Sequence, residues 1–170
     1  MSVAAILPRR LGLVLFGLLL SICLTACETV ASLPIPFMDH PTELDLQVVA
    51  SPKVNPDVHK RPSPVVVRVY ELKSRTQFDA NDFITLYEHD KEVLGADVLA
   101  RDEFVMRPGE THPIARPANP DTQFVAVLVG FRDLEKSHSR AVVAVVPKVK
   151  NRWLITLDAL NVGIVPALGK

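Results

Sequence analysis

From Thr42 onward, proline-bearing connections cut the chain into short runs in which apolar and polar residues alternate with a period of two, which leaves room for little but strands. Glu43, Leu44, Asp45, Leu46, Gln47 and Val48 set the pattern, with Leu44, Leu46 and Val48 on one buried face. Residues 51–64, dense in proline and polar groups, form a long loop. Val65–Leu72 follows as a β-branched strand, entered by Pro64 where no ladder donor is needed. From Asp97 the period of two returns, and Val98, Ala100, Phe104 and Met106 are predicted to share a face. Pro108 and Gly109 suit positions i+1 and i+2 of a type II turn, predicting a hairpin into a short strand over residues 111–115. After a loop holding Pro117, Asn119 and Pro120, the runs 122–131 and 141–146 are apolar on both faces, predicting two central strands covered on each side. Pro147 stops the second, and Trp153, Ile155, Leu157 and Ala159 are predicted to face one core. Seven or eight strands make an all-β, two-sheet sandwich.

One stretch between these strands changes period. Ser74 and Gln77 have capping-box spacing, Asn81 or Asp82 suits the cap of a turn carrying Phe83, Leu86 and Tyr87, and Asp90, Val93 and Leu94 predict a further short helix ended by Gly95. Short helices are thus inserted into the sandwich.

The N-terminal region follows other rules. Arg9 and Arg10 precede an apolar run over residues 11–23, too short for a span of about 20 apolar residues, and Leu24, Thr25, Ala26 and Cys27 follow it. This order resembles a bacterial lipoprotein signal, which implies removal of residues 1–26 and acylation of Cys27. Three acyl chains exceed the two membrane signals that stable anchoring takes. Glu28 stands where, in enterobacterial sorting, an aspartate favours inner-membrane retention, so the resemblance points to the outer membrane. Residues 27–41, with Pro34, Pro36 and Pro41, read as an extended linker, and residues 42–170 as one domain.

Loss of the signal takes Arg9 and Arg10 but no acid, so the basic count falls from 19 to 17 against 19 acidic residues, a balance that argues against nucleic-acid binding. Of the two cysteines, Cys23 leaves with the signal and Cys27 carries lipid, so no disulfide is available and packing alone holds the domain. His40, His59, His89, His112 and His138 show no compact metal-site spacing. No GxSxG elbow, HExxH or glycine-rich phosphate loop occurs, and Asp79 and Asp82 lack the register of a calcium loop and read as helix caps. The expectation is a protein without enzymatic activity, metal or cofactor.

The order of elements carries a wider resemblance. Asn55 and Pro56 in the first loop, PVVVRVYEL over residues 64–72, the segment 78–86, Arg107, Pro108, Gly109 and Glu110, and then Gly130, Phe131, Arg132 and Asp133 together resemble the TssJ (VasD, SciN) family of type VI secretion lipoproteins. The family pattern has a tryptophan before the arginine where this chain has Ser139 before Arg140. The resemblance implies a transthyretin-like β-sandwich that tethers the periplasmic C-terminal region of TssM, itself joined to TssL, to the outer membrane. By position it assigns partner binding to the loop between the first two strands, here Asn55, Asp57, Val58, His59, Lys60 and Arg61. The alternative is a lipoprotein that binds a small ligand such as a carbohydrate or peptidoglycan fragment.

Overall fold

The computed structural model describes residues 40–167, so the expected signal, the expected acylation at Cys27 and the expected linker as far as Asp39 lie outside the described residues. In chain order come β1 (Glu43–Ala50), β2 (Val65–Leu72), helices α1 (Thr76–Ala80) and α2 (Phe83–Leu94), a 3-10 turn (Gly95–Asp97), β3 (Val98–Met106), β4 (Thr111–Pro117), β5 (Phe124–Gly130), β6 (Arg140–Ala144), β7 (Lys150–Asp158) and β8 (Asn161–Pro166). The strands form two four-stranded sheets ordered β4-β1-β7-β8 and β3-β2-β5-β6. Neighbours are antiparallel except β1 and β7, which run parallel.

The alternation read from the sequence builds the core directly. Leu44, Leu46 and Val48 of β1 and Trp153, Ile155 and Leu157 of β7 meet Val65, Val67 and Val69 of β2 and Val125, Val127 and Val129 of β5 between the sheets. Each such side chain, fully buried, contributes roughly 1.5–3 kcal/mol. A second cluster lies on the other face of the β2–β5 sheet, where Tyr70, Leu72, Ala126 and Leu128 pack against Phe78, Leu86 and Leu94 of the helices. The helical insert is therefore a third layer, which is why β5 is apolar on both faces.

Asp82 caps α2, its carboxylate accepting the Thr85 N–H at 2.8 Å, and Gly95 ends the helix at a φ of 48°. The two helical pieces expected here are one helix broken at His89, whose φ of −127° departs from helical geometry. Past this break Asp90 is buried against the sheet, where it accepts the Tyr70 hydroxyl at 2.9 Å and faces Arg101 at 3.1 Å and Arg68 at 3.8 Å. Burial, and then the Asp90 carboxylate, push the Tyr70 hydroxyl well above its ordinary value, so it stays a neutral donor. The capping box does not form: Ser74 accepts from the Thr76 N–H at 3.2 Å, and α1 begins after Arg75 without a side-chain cap. Asp79 is no cap either, because it pairs with Arg75 one turn away.

Other expectations are corrected by pairing. The Pro108–Gly109 turn forms, with Glu110 N–H donating to Arg107 O at 3.0 Å and Gly109 at a φ of 79°, but it makes no hairpin. Its Gly109 N–H donates to Ala50 O at 3.1 Å, and Glu110 O accepts from Ala50 N–H at 2.9 Å, so the turn passes β4 to the edge of β1 in the other sheet. Pro113 and Pro117 lack N–H donors and suit that edge position. The predicted face of β3 is split by a bulge opposite Glu71 and Leu72: Phe104 and Met106 enter the inter-sheet core, whereas Val98 joins the helix-side cluster. β6 is an edge strand with one neighbour rather than a central one. Ala159 lies beyond β7 in a turn at a φ of 47°, and β8 occupies residues for which the sequence pattern carried no reading.

Charge also ties the two sheets on the β3/β4 side. Arg116 of β4 donates from Nε to Glu71 of β2 at 3.0 Å and from Nη1 to Asp102 of β3 at 3.0 Å. Glu71, only 2% exposed, further accepts from Asn119 N–H at 2.9 Å and the Thr122 hydroxyl at 2.7 Å. Hydrogen bonding to Asp102, and then the Glu71 carboxylate, hold the Arg116 guanidinium above its ordinary value despite burial.

Candidate functional site

The strand registers sort the connections onto two ends of the sandwich. At one end lie the entry of β1 at Glu43, paired with Pro117 and Lys150, together with the β6–β7 connection. At the other lie the β1–β2 loop, the β3–β4 turn, the β5–β6 connection and the β7–β8 turn. The loop singled out by the sequence therefore stands at the end opposite the one where the chain enters.

That loop is built in two parts. Residues 51–55 belong to the fold: Ser51 N–H donates to Leu157 O at 2.8 Å, Val54 is buried in the core, and Asn55 N–H donates to Ala159 O at 2.8 Å. Asn55, 2% exposed, takes a φ of 50° that asparagine tolerates better than most residues. Its Nδ2 donates to Pro64 O at 2.7 Å, and its Oδ1 accepts from Arg132 N–H at 2.9 Å. It stands apart from the other five residues assigned to partner binding, because its polar atoms are already used in joining the β1–β2 loop to the start of the β5–β6 connection.

Residues 56–61 project from this base. Asp57 closes them on themselves, its Oδ1 accepting from His59 N–H at 2.8 Å and Arg61 N–H at 2.9 Å, its Oδ2 taking the Arg61 guanidinium at 2.7 Å. Arg61, through backbone and side chain, holds the Asp57 carboxyl below its ordinary value. Asp57 and Arg61 thus neutralise one another, leaving Lys60, at a φ of 62°, as the outward charge of residues 56–61. Val58, 93% exposed, is its apolar tip, with His59 exposed beside it. A tip this ordered loses little conformational freedom on binding.

The β5–β6 connection faces the tip. Residues 56–61, Arg132–Lys136 and Leu160 line a broad open depression of about 1250 Å³. Leu134 is a second exposed apolar side chain there, and Lys136 pairs with Asp133 at 3.0 Å, while Arg132 has no ion pair among the described residues. Nothing local in the sequence marks this connection as a site, although Arg132 and Asp133 belong to the pattern that resembles the family. The signal lay in Asn55, whose partner across 77 positions only the fold reveals. Among the described residues no cluster of three or more histidine, cysteine or acidic side chains is placed to hold a metal ion.

The ordered, exposed loops at one end of the two-sheet sandwich and the open depression between them form the kind of surface on which binding residues concentrate in folded domains. Residues 42–160 match the family described as type VI secretion lipoprotein, VasD, EvfM, TssJ, and the chain belongs to that family. It is 32% identical to the T6SS lipoprotein TssJ1 from Pseudomonas aeruginosa, with a TM-score of 0.74 over 76% of this chain and 99% of that one. A chain in a type VI membrane complex matches at 27% identity and a TM-score of 0.65, over 74% of this chain and 99% of that one. A chain in a structure described as the T6SS protein TssM C-terminal domain from EAEC matches at 25% and 0.61, over 74% and 98%. Among curated proteins no sequence matches closely enough to count as a relative.

Proposed function

We propose that this protein is the outer-membrane lipoprotein of the type VI secretion membrane complex, a non-enzymatic tether acylated at Cys27 after removal of residues 1–26. Residues 27–41 are its linker and residues 42–170 its folded domain. Its loop end grips the periplasmic C-terminal region of TssM, within a complex that includes TssL. The observation carrying this reading is the polarity of the sandwich. The chain enters at Glu43, and Asp57–Arg61 project beyond the far end of β1, an eight-residue strand about 26 Å long. A domain anchored through its entry end carries those loops away from the membrane, toward a partner rooted in the opposite one. The matches to chains in a type VI membrane complex and in the TssM structure support the same assignment.

Asp57, Val58, His59, Lys60 and Arg61 are the contact residues in this proposal, with Asn55 holding the loop in place. The test exchanges residues 56–61 for a glycine linker, sparing Val54 and Asn55 because both are buried. The exchanged protein is expected to unfold at the same temperature and to lose capture of a TssM periplasmic fragment; unchanged affinity would move the interface elsewhere. Cys27→Ser protein is expected to be released from membranes, to capture the fragment still, and to fail in secretion. Full secretion by a strain making only that form would defeat the tether.

A further inference from the structure

We propose that the turn between β6 and β7, residues Val146–Val149, is a second contact with the bilayer that holds the anchor, docking on its phospholipid headgroups. Val146 is 56% exposed and Val149 47%, and Pro147 lies between them. Single exposed valines are ordinary on a protein surface. These two are held in place by a dedicated support. Asn151, itself buried, accepts the Val146 N–H at 2.8 Å and donates to Val146 O at 2.9 Å and Val149 O at 3.1 Å. One buried amide thus fixes both ends of an apolar tip, while Lys148 takes a φ of 62° to close it.

Position identifies what covers it. Glu43 N–H donates to Val149 O at 3.1 Å, and Lys148 N–H donates to Thr42 Oγ1 at 2.9 Å, so the turn abuts the point where the chain enters the domain. Cys27 stands 13 positions before His40, a reach of at most about 45 Å. A tether of that length keeps the turn at high effective concentration near the anchoring bilayer. The chemistry allows it: Lys150 and Arg152 open β7 and share Asp45 at 3.2 and 3.5 Å, with Glu43 opposite Lys150 in register, so these charges balance and set no net repulsion against anionic headgroups. Val58 and Leu134, the apolar residues of the opposite end, have no place on that membrane.

The location rests on acylation of Cys27, but the test does not depend on it alone. Acylated full chain carrying a bimane on Val149→Cys or on Val58→Cys is placed in vesicles of phosphatidylethanolamine and phosphatidylglycerol containing brominated lipid. Quenching is expected to be several-fold stronger at position 149, and weaker there when Lys150→Glu and Arg152→Glu are added; equal quenching at 149 and 58 overturns the proposal. Separately, Cys27→Ser protein, which leaves native membranes, is expected to keep a weak, reversible partitioning onto pure phosphatidylglycerol vesicles at high lipid concentration, and Val146→Asp with Val149→Asp to lower that partitioning about tenfold or more. Both sites are half exposed, so an unchanged melting temperature verifies the fold. Partitioning indifferent to the two aspartates, or a concentration-dependent dimer that they abolish without any effect on vesicles, overturns it as well.

Discussion

Asn55→Ala tests whether one side chain organises the loop end. The substitution removes the Nδ2 bond to Pro64 O and the Oδ1 bond from Arg132 N–H, and leaves both backbone groups partly buried without those partners. Two hydrogen bonds at about 1 kcal/mol each, with some added desolvation cost for the stranded groups, come to roughly 2–3 kcal/mol. Alanine at a φ of 50° adds about 1 kcal/mol, for a total of roughly 3–4 kcal/mol and a Tm lower by roughly 10–15 °C. Urea unfolding is the assay, with the midpoint falling at constant m. Asn55→Gly, which relieves the backbone and loses only the bonds, should recover about the 1 kcal/mol of strain. The Arg132 amide should also exchange faster with solvent while amides of the inter-sheet core keep their relative protection. A loss below about 0.5 kcal/mol, or an Arg132 amide as protected as before, would refute the claim that Asn55 joins the two loops.

Arg116→Met should destabilise the domain by roughly 3–5 kcal/mol, measured by chemical unfolding, because it strands the buried Glu71 carboxylate; Glu71→Gln in the same background should recover part of it. Gly109→Ala should cost only about 1 kcal/mol in the same measurement, since a Cβ there meets no atom within 4 Å and the φ of 79° is the whole penalty. Asp57 has a folded value below its ordinary 3.8, so its contribution to loop order is full above that value and is lost as the pH falls through the lowered one. Amide shifts of His59 and Arg61, which donate to it, should report that loss in an NMR titration while core resonances remain fixed.

What was legible in the sequence was the local chemistry. Alternation in β1 predicts the correct inward face, Pro108–Gly109 specifies its turn, and of the two caps the pattern offers, Asn81 or Asp82, it is Asp82 that forms. Each of these depends on residues within a few positions of one another. The errors share the opposite origin. The hairpin expected after Gly109 does not form because β4 pairs with β1, more than 60 positions away, and β6 is an edge strand although its apolar faces predict a central one, because such faces do not tell how many neighbours a strand has. Val98 faced the helices because of a bulge that alternation does not announce. At the candidate site, the loop after β1 was visible as a proline-rich break, but its division into a buried base and an exposed tip was not.

By itself the sequence determined that strands would dominate and where the turns and helical insert would fall, because these follow from side-chain periodicity and backbone preference. The tertiary structure alone decided which strands share a sheet and which loops share an end. It brought Arg132–Lys136 beside Asp57–Arg61 across more than 70 positions, turned Asp57 and Arg61 toward each other, and set the β6–β7 turn at the chain's entry. The physical reason is that strand pairing and burial are settled by contacts between distant segments, whose free energy no local window of sequence contains.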